Sequence, residues 1–262
     1  MLKDKVAMIY GAGGDVGGAV ARAFAREGAK LFLSGRHLRK VEAVAADVIG
    51  RGGVAEAAQV DALDEQAVER YVGAVAAKAG PIDISFSAVG ISNALPQRAP
   101  LLELSAEQFA LPITTYTQAH FLTARIAARR MVARRSGVIL TITGTPSRMA
   151  FPNVGGIAPA FAAVVALSRT LSVELAPQGV RVVCLMPNAM PETGTIRENF
   201  ERYAKATGLT PADFLARVES TTHLGRLTTL AELANVAAFM ASDQASAMTG
   251  TVANLSGGTV VD

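Results

Sequence analysis

The chain has 262 residues, half of them hydrophobic, with 25 lysines and arginines against 22 aspartates and glutamates. That length can bury one large core, and α/β folds of this size are often single domains. The net charge is +3 and the charges are scattered, with no basic stripe studded with aromatics, which argues against nucleic-acid binding.

One cysteine, Cys184, leaves no partner for an intramolecular disulfide. It sits in the apolar run Val180–Met186 and reads as a small buried hydrophobe. Met1-Leu-Lys-Asp-Lys5 leads straight into a strand, without a signal-peptide core or cleavage site. No apolar stretch reaches the ~18 residues of a membrane span. The expectation is a soluble cytoplasmic protein with no membrane partner and no metal site.

Short apolar runs alternate with helical patterns almost from end to end. Strands are expected at Val6–Tyr10, Lys30–Ser34, Val54–Val60, Ile82–Ser87, Val138–Ile142, Val180–Met186 and Thr251–Leu255. Helices are expected at Val16–Arg26, Leu38–Ile49, Glu65–Ala77, Phe109–Ala133, Pro159–Leu175 and Leu230–Met240. Pro112 is expected to bend the long helix or delay its start. Strands that are apolar throughout, separated by helices, imply a doubly wound parallel sheet of seven strands covered on both faces. The one interruption, about residues 188–226, is polar and carries a short helix near Pro211–Val218. It follows the sixth strand at the sheet's carboxyl edge, where a lid over a ligand would sit.

Tyr10-Gly-Ala-Gly-Gly-Asp-Val-Gly17 joins the first strand to the first helix. Glycines there let the backbone turn tightly against a pyrophosphate resting on the helix N-terminus. A tight strand–helix turn needs glycine for its own sake, but the place of this one in an N-terminal βαβ unit favours a nucleotide. The cradle would comprise Gly11, Gly13, Gly14, Asp15, Val16 and Gly17.

With these features the chain resembles the short-chain dehydrogenase/reductase family over essentially its whole length, which implies a Rossmann-type fold. The family's loop is Thr-Gly-x-x-x-Gly-x-Gly. Gly11 and Gly17 match its first and third glycines, Tyr10 stands at the threonine, and Asp15 stands at the middle glycine. A carboxylate within ~4 Å of a phosphate charge costs up to ~4 kcal/mol at an effective dielectric near 20. The alternative adopted here is that Asp15 caps the first helix with its side chain turned away from the ligand.

The second strand ends Leu33-Ser-Gly-Arg36, with Arg39 and Lys40 nearby. An acid there would accept the ribose hydroxyls of NAD. A guanidinium suits a 2′-phosphate instead, so the resemblance implies NADP(H). Asp61 matches the family's adenine-binding aspartate, although an ordinary acid near a helix start reads almost as well. Where the family shows Asn-Asn-Ala-Gly, this chain has Ser87-Ala-Val-Gly90. Gly90 is kept, and Ala88 would line the cofactor.

The family's catalytic set is Asn, Ser, Tyr and Lys: tyrosine donates a proton to the carbonyl, lysine lowers its pKa, serine hydrogen-bonds the carbonyl, and asparagine supports a water chain. Phe121-Leu-Thr-Ala-Arg125 and Leu167-Ser-Arg-Thr-Leu-Ser-Val-Glu174 fix the register from outside these positions. Tyr116 then stands at the Asn, Gly144 at the Ser, Ile157 at the Tyr and Phe161 at the Lys. All four are changed, and no tyrosine or lysine lies between Gly144 and Phe161.

Substitutes must come from elsewhere. Tyr116 could serve as a relocated acid or simply pack. Thr143, Thr145 and Ser147 offer hydroxyls, and His120 stands one turn from Tyr116. Thr145 and Tyr116 are the catalytic candidates. Met186-Pro-Asn-Ala-Met190 replaces the family's Pro-Gly turn; Pro187 is kept, and Asn188 is expected to take the left-handed conformation. Thr193 or Thr195 would reach the cofactor. Leu95, Met149, Phe151 and Met190 suggest an apolar substrate pocket. Gly225-Arg-Leu227 and Thr249 to Gly258 resemble the family's C-terminal end.

Three readings follow: an NADP(H)-dependent oxidoreductase acting on a small apolar carbonyl, enone or quinone-like substrate; a non-catalytic nucleotide-binding sensor or assembly subunit; and a homologue whose cofactor site has lapsed behind Asp15. Arg36, Asp61 and the glycine loop argue against the last, and the lid tilts the choice toward the enzyme. The resemblance also implies a homodimer or homotetramer joined through Phe109–Ala133 and Pro159–Leu175, whose small apolar faces permit close approach.

Overall fold

β1 (Val6–Tyr10), β2 (Lys30–Gly35), β3 (Val54–Gln59), β4 (Ile84–Ser87), β5 (Gly137–Ile142), β6 (Val180–Pro187) and β7 (Val252–Leu255) form one sheet in the order β3-β2-β1-β4-β5-β6-β7. Every pairing is parallel. The structure, a computed structural model, describes residues 1–91 and 99–261. The fold is the doubly wound, Rossmann-type α/β arrangement expected from the alternating pattern.

Helices cover both faces. α1 (Asp15–Arg26), α2 (Leu38–Gly50) and α8 (Leu230–Ala241) bury Val20, Phe24, Val41, Val48 and Leu233 against one side of the strands. α3 (Glu65–Ala79), α4 (Ala106–Val132) and α5 (Ile157–Leu175) close the other with Val68, Val72, Ile126, Met131 and Leu171. The central strands β1 and β4 are buried at every position; β1 accordingly reads as an unbroken apolar run, while β4 carries the buried serines Ser85 and Ser87.

The strand order reverses between β1 and β4, and the register sets Tyr10 opposite both Ser34 and Ser87. The carboxyl ends of β1, β2 and β4 are therefore level. Gly11, Gly35 and Ala88 come together at the switch point, where such sheets bind ligands.

α4 begins three residues earlier than expected and runs through Pro112. Ser105 and Gln108 form a reciprocal capping box that starts the helix independently of the proline. α5 with its following turn, Ile157–Gln178, is long and apolar enough to cross a membrane, at mean hydropathy 1.4. The expectation that no segment reaches that threshold is corrected. Here this helix packs along α4 and the sheet.

Residues 188–226 hold two helices, α6 (Gly194–Thr207) and α7 (Pro211–Glu219), where only the second was expected. Thr193 caps α6 through the Ile196 N–H, and Gly208 ends it in the left-handed conformation. Phe200 and Tyr203 clamp the ring of Phe214 at 5.3 and 5.9 Å between centroids, joining the two helices.

Candidate active site

The glycine turn is tight because two of its glycines have no room for a side chain. Gly11 has φ +72°, and a Cβ there would stand 2.6 Å from the Ala88 carbonyl oxygen. A Cβ on Gly17 would stand 2.4 Å from the Gly11 oxygen. α1 begins on Gly14, which offers no side-chain cap, so the N–H groups of its first turn, including Asp15, Val16 and Gly17, are left uncapped by any side chain. Gly13 packs against Lys40 of α2. Tyr10 takes no part in this edge: its ring turns to the opposite face and meets Tyr71 at 6.2 Å, and burial pushes its hydroxyl pKa up.

Asp15 does not cap α1. It is the first residue of the helix, and its Oδ2 accepts the Gly194 N–H at 2.9 Å. The carboxylate thus leaves its own helix and satisfies an N–H at the start of α6, where the helix dipole also favours a negative charge.

Arg36 is exposed at the carboxyl end of β2, and its guanidinium makes no ion pair among the described residues. Its carbonyl accepts the Gln59 amide at 3.1 Å, which holds the loop beside β3. Asp61 closes a local turn by accepting the Leu63 N–H at 3.0 Å, while Asp64 provides the cap of α3. Ala88 is half-buried under Gly11, and Gly90 is exposed with open space around it.

Pro187 ends β6, and Asn188 is not left-handed: its φ is absent from the positive range, which Asn153 occupies instead at +56°. The Asn188 amide is buried. Its Nδ2 donates to the Ser256 carbonyl and to Thr259 Oγ1, and its Oδ1 accepts the Ala189 N–H. Three hydrogen bonds hold the Asn188 side chain in place. Thr193 spends its hydroxyl on the Met190 carbonyl and the Ile196 N–H, and Thr195 is the second residue of α6.

Three of the four positions of the expected catalytic set meet around the Phe161 ring. The rings of Tyr116 and Phe161 stand edge to face with centroids 5.1 Å apart. A Cβ on Gly144 would lie 3.2 Å from Phe161 Cε2, so the ring occupies the space that a serine would need. Ile157 is buried at the first turn of α5. The replacements fit one another: a large ring at 161 goes with no side chain at 144.

The neighbouring polar groups are mostly committed. Ser147 donates to the Gly144 carbonyl at 2.9 Å, and Thr143 to the Leu185 carbonyl at 3.4 Å. Cys184 is buried beside Thr143, and burial raises its thiol pKa. His120 is wholly buried, with Nδ1 on the Tyr116 carbonyl at 2.8 Å and its other nitrogen facing the Ile142 N–H at 3.5 Å. Burial holds its pKa down to about 4, so the ring is neutral and Nδ1–H donates. His120 therefore braces α4 against β5. Thr145 opens the short turn after β5 and is buried.

Of the residues expected to line an apolar pocket, Met190 is buried in the core on the α1 and α8 side, Met149 is half-buried and Phe151 exposed; Leu95 lies outside the described residues. The Tyr203 hydroxyl donates to the carbonyls of Pro152 and Asn153 at 3.4 and 3.3 Å, setting α6 against the loop between β5 and α5.

A family model described as enoyl-(acyl carrier protein) reductase matches residues 11–260. The chain belongs to the short-chain dehydrogenase/reductase family. Oxidoreductase UcpA of Salmonella typhimurium is 29% identical over 261 residues, 99% of this chain and 96% of the relative. Among solved structures, an NAD+-bound xylitol dehydrogenase is 26% identical with TM-score 0.91, covering 98% of this chain and 99% of that one. A short-chain type dehydrogenase/reductase from Mycobacterium marinum is 29% identical with TM-score 0.87, covering 100% and 97%.

Against this short-chain dehydrogenase/reductase background, two residues escaped the sequence reading. Gly194 is the partner of Asp15, and no local pattern could reveal a contact 179 residues away. Asn199 is 2% exposed on α6, and both polar atoms of its amide lack a partner among the described residues. Leaving buried amide groups unpaired costs about 1–3 kcal/mol each. A polar residue among Ile196, Phe200, Tyr203 and Ala204 was the available signal, once those four are seen to recur at helical spacing.

Proposed function

We propose that this protein is an NADP(H)-binding oxidoreductase that acts by hydride transfer on a small apolar carbonyl, enone or quinone-like substrate. The observation that carries this reading is the exposed Arg36 guanidinium, without an ion pair among the described residues, beside a glycine turn whose helix start has no side-chain cap. The residues present fit the coenzyme: Gly11 and Gly17 allow close backbone approach, the first-turn N–H groups of α1 suit a pyrophosphate, and Arg36 suits a 2′-phosphate. Asp61 would hold the adenine amino group, and Ala88, Gly90, Pro187 and Asn188 would border the remainder. When bound, the coenzyme supplies a hydride equivalent.

This chain's own residues provide a weakly polar floor. Half-buried Tyr116 and Phe161, with Ile157 and Gly144, would set a largely apolar surface beside the reacting face. The Tyr116 phenol is the proton donor to the substrate oxygen, with the Thr145 hydroxyl hydrogen-bonding the same atom. The lysine that would lower a phenol pKa is gone, so acid help is modest. A conjugated acceptor, whose reduced product is stabilised by delocalisation, suits that site better than a simple ketone.

The working form is a cytoplasmic homodimer or homotetramer joined through α4 and α5. The exposure of Phe121 and Val173, at 40% and 73%, supports that assembly. The test is consumption of NADPH and NADH against a panel of enones, quinones and ketones. Turnover with NADPH and a conjugated acceptor is expected; absence of turnover with every member would contradict the reading.

A further inference from the structure

Arg197 carries its charge where the helix disfavours a cation. It is exposed one turn into α6, near the positive end of the helix dipole. Its guanidinium makes neither an ion pair nor a hydrogen bond among the described residues. Lys205, by contrast, stands in the last turn of the same helix, where a cation is favoured.

Gly194 fixes where that guanidinium stands. A Cβ on Gly194 would lie 3.8 Å from Asp15 Oδ2 and 3.9 Å from Arg197 Nη2. One carboxylate and one guanidinium thus flank a single backbone position, at the edge where the glycine turn enters α1. They are not an ion pair, because Asp15 Oδ2 is taken up by the Gly194 N–H. Glu192, at the same end of α6, accepts the Leu230 N–H at the start of α8. Arg197 is left accessible beside the first turn of α1, whose N–H groups have no side-chain cap.

Asp15, standing where the family has a glycine, adds one negative charge to this edge. A cation at a like distance cancels it, because Coulomb attraction and repulsion scale alike with distance and dielectric. A guanidinium also offers its donors as a fork that matches phosphate oxygens.

We propose that Arg197 binds the coenzyme diphosphate and offsets the charge of Asp15, so that the lid supplies a contact that the glycine loop of this chain has lost. The assignment rests on the coenzyme reading above and goes past it. Arg36 serves the 2′-phosphate alone, whereas Arg197 serves the diphosphate that every nicotinamide or adenine dinucleotide shares.

The test is calorimetric titration of the full chain at low ionic strength with NADPH and, separately, with ADP-ribose, which keeps the adenosine and diphosphate but lacks the 2′-phosphate and nicotinamide. Arg197→Ala should weaken both by the same factor, about tenfold. Its Tm should not fall, since the side chain holds nothing in the fold. Arg197→Lys keeps the charge without the fork and should recover part of the loss. Adding Asp15→Gly to Arg197→Ala should bring NADPH binding back to within about tenfold of wild type. Unchanged affinity in Arg197→Ala, a loss confined to NADPH, a loss that comes with a lower Tm, or no recovery in either rescue would overturn the proposal. Those outcomes leave NADPH binding by wild type, and the coenzyme reading, standing. Absence of NADPH binding by wild type would overturn both.

Discussion

Asp15 Oδ2 and the Gly194 N–H are 2.9 Å apart, tying the first turn of α1 to the first turn of α6. In the family the position of Asp15 is a glycine whose backbone lies against the coenzyme. Here a carboxylate spans from the nucleotide edge to the lid. On the proposed reading, a pyrophosphate settling on the start of α1 would meet that charge, and the same side chain holds the start of α6.

The pairing of Phe161 with Gly144 predicts a coupled cost. Gly144→Ser places its Cβ 3.2 Å from the Phe161 ring and should destabilise by about 1–3 kcal/mol. In a Phe161→Ala background the added cost of the serine should nearly vanish. Chemical denaturation of the two single variants and the double variant measures the coupling; additive effects would show that the two sites are independent.

Tyr116→Phe keeps the ring that packs on Phe161 and removes only the hydroxyl. Turnover of a conjugated acceptor should fall by about 10²-fold, the low end for a positioned acid, with little change in KM if the phenol is the acid. Unchanged kcat would eliminate it.

Arg36→Ala should weaken NADPH by about 10- to 100-fold, the effect expected from losing charge-assisted hydrogen bonds. NADH binding should be almost unaffected. Parallel loss of both coenzymes in titrations would mean that Arg36 serves the fold rather than the phosphate.

His120 predicts a pH dependence of stability. Its pKa is about 4 when folded, against an ordinary value of 6.5, so the unfolded chain binds the proton more tightly. This contribution is flat above pH 6.5, and stability falls as pH drops from 6.5 toward 4, by about 2 kcal/mol at pH 5. Urea denaturation of His120→Gln should show a shallower decline over that window. A decline of the same slope as wild type would assign the loss to other groups.

The sheet was legible because β1 and β6 are buried along almost their whole length and are apolar at nearly every position. α6 was not, because its outer face is charged and glycines and prolines flank it. Only Thr193 and Gly208, its caps, marked the ends. The packing of Phe161 over Gly144 was not legible, since a ring at 161 explains the glycine at 144 only in three dimensions. Asn188 was misjudged because backbone freedom was weighed above its amide, which finds three partners in the C-terminal turn and beside itself.

Titration of NADPH into wild type and Asp15→Gly tests the central claim most directly. The account predicts measurable heat with wild type, weaker heat with NADH, and binding to Asp15→Gly tighter by about 10- to 100-fold. That gain is below the ~4 kcal/mol upper bound for a carboxylate beside a phosphate, because Asp15 is exposed and screened. No heat from either protein would contradict a surviving dinucleotide cradle.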